Sequence, residues 1–305
     1  MKDWLVIVNP NAGIGKARKD WVQISGLLSR RGLNYLALFT DGPNHAIDLV
    51  ANHIGKGFRQ VIVVGGDGTM NEAVNGIFKQ QCVPTTAISL GMISVGTGND
   101  WGRTFNIPTD YEKAIAVLKA GNSMLQDAGT VSYYNDDKKE ERFFINMAGL
   151  GFDGLVAQKT NADKMKGKSN PLLYLANLVS SLFSFKSCGA RVVVDGEELK
   201  EKMFSISIGI GKYNGGGMKQ APDAKPDDGL FDITLIKDMT KLSVVANVAR
   251  LYNGTIKKHK KVQGLTGKKV IVESDQPILL EADGESLGHS PFEFNIIPQS
   301  IRVVV

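Results

Sequence analysis

Hydrophobic positions keep one rhythm up to about residue 124 and another after it. Residues 61–64, Val-Ile-Val-Val, form an unbroken β-branched run, the pattern of a strand buried on both faces of a parallel sheet. Met70, Ala73, Val74 and Ile77 then fall at i, i+3, i+4 and i+7, which predicts a helix with one apolar stripe. The same alternation recurs on either side. Residues 5–8 predict a strand followed by a helix to about residue 31, residues 35–40 a strand before a helix over 44–54, and residues 86–93 a fourth strand. A βαβαβαβ order makes a parallel sheet whose strand-to-helix turns all lie on one edge.

Beyond residue 125 the pattern changes to short strands, at 143–145, 191–194, 203–208, 230–236, 269–273, 278–282 and 292–297. Asn135-Asp136 and Asp195-Gly196 have the composition of hairpin turns. The expected architecture is an α/β domain over residues 1–124 followed by a β-rich sandwich over 125–297. Two helices, over 171–185 and 241–252, interrupt the second part. The first carries Leu172, Leu173, Leu175, Leu178, Val179, Leu182, Phe183 and Phe185, a broad apolar face suited to core packing or to lining an acyl chain.

Candidate chemistry lies in the turns of the first part. Gly65-Gly66-Asp67-Gly68-Thr69 separates the 61–64 strand from its helix, and Thr69 with Glu72 has capping-box spacing. That spacing predicts a helix starting at Thr69, with three glycines in the turn before it and backbone N–H groups bared for a phosphate. The loop is no P-loop, lacking GK[ST], and no dinucleotide fingerprint, because Asn71 stands where the third glycine belongs. Taken alone it is as much an ordinary α/β turn. Two further Gly-bearing turns, residues 9–16 and 94–101, should converge on the same sheet edge, and the three together point to a nucleotide-phosphate site. A carboxylate at Asp67 among such amides calls for a cation, which suggests Mg²⁺ bound with the nucleotide. Asn99 and Asp100 read equally as turn formers or ligands, Asn44 as a helix cap, and His45 and His53 as solvent-facing.

Length and composition narrow the classes. A chain of 305 residues fits two domains, and 43% hydrophobic with 22% charged residues is globular. No apolar run approaches the ~20 residues of a membrane span. Met1-Lys2-Asp3-Trp4 enters a strand without the apolar core of a secretory leader, so a cytoplasmic location is expected. Cys82 and Cys188 lack metal-ligand or CxxC spacing. Only four histidines, with no GxSxG and no HExxH, leave hydrolase chemistry little support. A net charge of +5 favours an anionic partner: nucleotide, anionic membrane surface or nucleic acid. The densest basic run, Lys257-Lys258-His259-Lys260-Lys261, is either a solvated loop or a contact for anionic lipid headgroups. Asp227-Asp228-Gly229-Leu230-Phe231-Asp232 is a strand-entry turn or a loop holding a hard cation, and lacks EF-hand spacing. Asp283-Gly284-Glu285 is a hairpin turn that also sets two carboxylates at a strand end.

The ordered set NPNAG at Asn9, GGDGTMNEAVNG at Gly65, GTGND at Gly96, PDAKPDDGLFD at Pro222 and DGE at Asp283 resembles the diacylglycerol kinase catalytic-domain family, specifically its soluble bacterial members. GGDGT alone is shared with NAD kinases and phosphofructokinases. The resemblance spans nearly the whole chain. It implies a phosphofructokinase/NAD-kinase-like nucleotide domain, a C-terminal β-sandwich, a catalytic cleft between them, and return of residues 298–305 to the first domain. It further implies ATP contacts at Asn9, Pro10, Asn11, Ala12 and Gly13, at Thr40, at Gly66, Asp67, Gly68, Thr69, Met70, Asn71 and Glu72, and at Thr97. Glu285 is implied as proton acceptor, with Asp67 beside it in catalysis, and Asp228 with the carbonyls of Lys225 and Leu230 as an Mg²⁺ site. The implied activity is ATP- and Mg²⁺-dependent phosphorylation of diacylglycerol, with transient contact to an anionic inner membrane surface, no nucleic-acid partner, and a homodimer by analogy. The rivals are a kinase for another lipid alcohol, a sphingoid base or ceramide, and a nucleotide- and lipid-binding module without turnover. One departure is Ser94, where family members often carry proline.

Overall fold

A computed structural model describes residues 3–165 and 171–305. The chain divides into two compact units, residues 1–128 with 298–305, and residues 129–297.

The first unit contains β1 (Trp4–Val8), α1 (Ala12–Arg30), β2 (Tyr35–Phe39), α2 (His45–Gly55), β3 (Gln60–Gly65), α3 (Asp67–Lys79), β4 (Ser89–Ser94), α4 (Asp100–Thr104) and α5 (Tyr111–Ala120). Its strands are parallel in the order β2-β1-β3-β4, so the three strands that lead into glycine turns are neighbours. β1 is wholly buried and β3 nearly so, which is why both read as unbroken apolar runs. Val6, Val8, Ile62, Val64 and Ile93 pack with Ile24 and Leu28 of α1 and with Ile115 and Leu118 of α5. The fourth strand starts at Ser89 rather than 86. Thr85–Ala87 form a 3₁₀ turn because Pro84 and Thr85 carbonyls accept the Ala87 and Ile88 amides.

The second unit takes in most of β5 (Ser123–Asn135), then β6 (Lys138–Phe144), β7 (Met147–Gly151), α6 (Phe152–Met165), α7 (Pro171–Ser184), β8 (Cys188–Val194), β9 (Glu197–Gly209), β10 (Phe231–Lys237), α8 (Lys241–Asn253), β11 (Val262–Gly267), β12 (Lys269–Ser274), β13 (Leu279–Ala282) and most of β14 (Glu285–Val304). It is the expected sandwich. β9 pairs with β8 through its first half and with β7 and β10 through its second, so one long strand serves both layers. Phe144, Phe231, Phe292 and Phe294 fill the space between, with Phe144 stacked on Phe231 at 5.8 Å between centroids. The end of β14 belongs to the first unit, where Arg302 and Val303 pair with Ser89 and Leu90 of β4.

Three strands escape the sequence pattern: β5, β7 and β11. β7, Met-Ala-Gly-Leu-Gly, has no β-branched residue, yet every position is buried. Glycine is needed at 149, where a Cβ would stand 2.8 Å from the Asp153 Cβ and 2.9 Å from Glu281 Oε2. Helix α7 also departs from expectation. Tyr174, Leu178 and Leu182 face inward, onto Phe152, Val156 and Phe204, whereas Leu172, Leu175, Val179 and Phe183 are exposed and outside the core. None of the described helices is long and apolar enough to cross a membrane.

Candidate active site

In the first unit the three glycine turns do meet. A Cβ on Gly96 would lie 2.7 Å from the Gly66 Cα, and one on Gly13 would lie 2.2 Å from the Val95 carbonyl oxygen. Only glycine lets these backbones approach so closely. Val95 and Gly96 amides both donate to the Gly65 carbonyl, at 2.8 and 3.2 Å. Asn9 donates through Nδ2 to Thr69 Oγ1 at 3.0 Å, and its Oδ1 accepts from the Asn11 amide at 3.0 Å. Ile14 and its two glycine neighbours are left-handed, so the first loop folds back before α1 becomes regular.

Asp67 is the pin of this assembly. Its two carboxylate oxygens accept the Asp100 and Trp101 amides, each at 3.1 Å. Those amides open helix α4, where a negative charge is favoured. The GGDGT carboxylate therefore holds the GTGND loop.

Helix α3 begins at Asp67, two residues before the expected start, and no side chain caps it. The capping box is absent because both of its members work elsewhere. Thr69 accepts from Asn9, and Glu72 accepts the Asn44 and Ala46 amides of α2 at 2.8 and 3.0 Å. Asn44 stands at the start of α2 in the left-handed region without capping it by its side chain, so Glu72 does that work. Gly68 consequently lies within the first turn of α3 rather than ahead of it.

The other predicted nucleotide residues divide. Pro10, Asn11 and Thr40, with Arg18, Phe39 and Asp41, line an open pocket of about 380 Å³. Thr97 is exposed at its loop tip. Met70 and Asn71 are buried, Asn71 accepting from Asn75 Nδ2 at 3.1 Å, so their side chains face the interior. His45 and His53 are half-buried and hydrogen-bonded rather than solvent-facing. Asn99 holds Gly96 O through Nδ2 at 2.8 Å while its Oδ1 is buried without a partner.

In the second unit Asp283 and Gly284 form the two-residue turn between β13 and β14, both with positive φ. The Asp283 carboxylate turns inward and accepts three amides, Ile145 at 2.9 Å and Asn146 and Met147 at 3.0 Å. Of the two carboxylates in DGE only Glu285 is left partly exposed.

Behind this turn is a buried polar network that the sequence did not disclose. Glu281 Oε1 accepts the Gly284 amide at 2.6 Å and Oε2 accepts from Asn214 at 3.1 Å. Asn214 also reaches Gln220, which meets Ser207, while Ser205 donates to Asp153 at 2.7 Å. Burial pushes the Asp153 carboxyl up to about 6 and the Glu281 carboxyl up to about 8, with the charge of Asp153 adding to the second. Glu281 was recognisable only as an acid inside the apolar run Ile-Leu-Leu-Glu-Ala.

Asp228 is exposed, with Oδ1 accepting the Leu230 amide at 3.1 Å. Among the described residues no three His, Cys, Asp or Glu side chains gather to hold a metal. The donors around Asp67 and Asp228 are nonetheless hard oxygens, the type Mg²⁺ takes while keeping water or phosphate as its remaining ligands. Lys257 is no free surface lysine. It bonds both Asp232 oxygens at 2.8 and 2.9 Å, and Asp223 at 3.1 Å.

Residues 3–131 match the diacylglycerol kinase catalytic domain, and residues 146–305 match the YegS C-terminal NAD kinase beta sandwich-like domain. A diacylglycerol kinase of Staphylococcus saprophyticus is 30% identical over 299 residues, covering 98% of this chain and 93% of its own. The chain belongs to the diacylglycerol kinase catalytic-domain family. Another relative with that name, from Mycobacterium tuberculosis, is 29% identical over 300 residues with the same coverage. A solved structure of a diacylglycerol kinase from Bacillus anthracis superposes with a TM-score of 0.73 at 20% identity, over 99% of this chain and 96% of that one. Yeast NADH kinase complexed with NADH superposes at 0.52 with 11% identity, over 99% and 83%. These two show the fold. Within the diacylglycerol kinase family, sequence relatives carry lipid-kinase names, and kinase chemistry draws its phosphoryl group from ATP.

Proposed function

We propose that the protein transfers the γ-phosphoryl group of ATP to the hydroxyl of diacylglycerol, giving phosphatidic acid and ADP. The observation that carries this reading is the backbone-on-backbone approach of the three glycine turns around the uncapped start of α3. Such a start offers N–H groups at the positive end of a helix dipole, as a polyphosphate needs. Asn9 to Gly13, Thr40 and Thr97 contact the nucleotide. Gly66 to Glu72 serve through backbone amides at their start, since Met70 and Asn71 point inward and Glu72 is engaged with α2.

Glu285 accepts the proton of the lipid hydroxyl as its oxygen bonds to phosphorus and the bond to ADP breaks. A positioned base of this kind contributes roughly 10²- to 10⁴-fold. Asp283 positions it by locking the turn to residues 145–147. Mg²⁺, when bound, neutralises phosphate charge. Asp67 would hold it near the phosphates, and Asp228 with the Lys225 and Leu230 carbonyls would hold a second, supporting ion. The protein works as a peripheral protein on the cytoplasmic face of an anionic membrane, and by analogy with relatives as a homodimer.

The test is incubation with γ-labelled ATP, Mg²⁺ and a total lipid extract. Labelled phosphatidic acid is expected, and Asp67→Asn and Glu285→Gln should each lose at least about 100-fold in kcat while remaining folded. Label in a sphingoid-base or ceramide phosphate would replace the acceptor, and no labelled lipid at all would end the kinase reading.

A further inference from the structure

Eleven large hydrophobic side chains are exposed among the described residues, and eight of them lie on α7 and α8. On α7 they are Leu172, Leu175, Val179 and Phe183, at i, i+3, i+7 and i+11; on α8 they are Leu242, Val245, Val248 and Tyr252. Each set is one face of its helix. The outermost are far from marginal, with Leu242 84% exposed, Leu172 78% and Phe183 73%. No side chain of α8 is fully buried along its 13 residues, an unusual position for a helix that carries two leucines and three valines on so short a length.

The two helices meet at one end. Lys241, the first residue of α8, donates to the Leu182 and Phe185 carbonyls at the end of α7, and Val244 packs on the same cluster as Leu178 and Leu182. The inner sides of both helices are thereby spoken for, and the outer sides leave two exposed apolar faces on helices that meet where α7 ends and α8 begins, the kind of surface that proteins keep for a partner.

Charge decides what the partner is. Residues 171–186 and 241–261 contain no aspartate or glutamate, but include Lys186, Arg250, Lys258, Lys260 and Lys261 in addition to the engaged Lys241 and Lys257. The nearest acid in sequence before α8 is Asp238. A second copy of this chain docking by a two-fold axis would set this cationic surface against itself. An anionic bilayer complements both properties at once, taking the apolar faces into the boundary between headgroups and acyl chains and the lysines onto phosphate.

We propose that the exposed apolar faces of α7 and α8, together with the exposed lysines of the segments that carry them, are the surface by which the protein docks on an anionic lipid bilayer. This rests on the lipid-kinase reading above and adds to it the place of contact. Helix α7 thus meets the acyl region from outside the protein, rather than lining an internal acyl pocket.

The experiment is flotation of the full chain with phosphatidylcholine vesicles, with and without phosphatidylglycerol. Binding is expected only with phosphatidylglycerol, weakening as salt rises. The double variant Phe183→Ser, Leu242→Ser should lower the partition coefficient by at least about tenfold. Its turnover on a short-chain diacylglycerol dissolved as monomers should stay at the wild-type level. Wild-type protein that ignores anionic vesicles, or a double variant that floats as well as wild type, overturns the proposal. So does loss of a dimer in the double variant together with no vesicle binding, which would make this face a contact between copies. Vesicle binding without turnover on the dissolved lipid counts instead against the kinase reading and leaves the docking surface standing.

Discussion

Gly13 is left-handed, at φ 61°, and a Cβ there would lie 2.2 Å from the Val95 carbonyl oxygen, an atom of another loop. Gly13→Ala must therefore separate the first and third turns or distort both. Strain of this sort costs on the order of 1–3 kcal/mol, and the variant should also lose most of the thermal shift that ATP gives wild type, read by a melting curve with and without nucleotide. Glu281 carries a different prediction. Its carboxyl rises from an ordinary 4.5 to about 8, chiefly through burial, and that of Asp153 from 3.8 to about 6 for the same first reason. The folded protein then binds these protons more tightly than the unfolded chain. Their contribution is fully present below the unfolded values and is lost as pH rises through 6 and then 8. Glu281→Gln keeps an acceptor for the Gly284 amide and removes the later part of that loss. Urea midpoints should fall less steeply between about pH 6 and 8 in the variant, with a gain of a few kcal/mol over wild type above about pH 8. Parallel curves for the two proteins would show that the folded carboxyl is already ionised.

Among the elements, α3 shows how an apparent local signal is spent on long-range work. Thr-x-x-Glu at 69–72 has the spacing to cap its own helix, yet each member bonds to a different segment, so no side chain caps α3. Glu72 ties α3 to α2, and Glu72→Ala strips the acceptors from two amides at the start of α2. The expected loss is about 1–2 kcal/mol in urea unfolding, in the range of a lost helix cap, with vesicle binding unaffected. Lys257 makes the same point for the basic run. Asp232 is held above its ordinary value by burial, which outweighs the opposing pull of this one ammonium, while Lys258, Lys260 and Lys261 remain exposed.

For the whole molecule, the last eight residues are as much a part of the first unit as β1 is. Ile301, Val303 and Val304 are buried, and β14 closes the free side of β4 in parallel register. Three buried aliphatic side chains stabilise by about 1.5–3 kcal/mol each, a sum comparable with the total stability of a domain. A chain ending at Ile297 should accordingly lose its ATP-induced thermal shift and expose a sheet edge prone to aggregation, checked by melting and by light scattering.

The parallel order of the first unit was legible because both faces of β1 and β3 are covered, which writes unbroken apolar, β-branched-rich runs into the sequence. The three glycine turns were legible too, since neighbouring parallel strands must deliver their turns to one edge, and Gly13, Gly66 and Gly96 meet there. What each polar residue does was not legible. Thr69, Glu72, Asp67 and Asp283 all find partners many residues away, and local spacing carries no record of them. β7 was hidden because Gly149 answers to Glu281 and Gly151 to the Phe204 carbonyl, both across the fold, rather than to strand propensity. An apolar helical stripe looks the same whether it faces a core or a solvent. Only the packing of α7 and α8 on Phe152 and Phe204 decided which leucines were inside, because burial belongs to the neighbours a residue acquires and not to the residue itself.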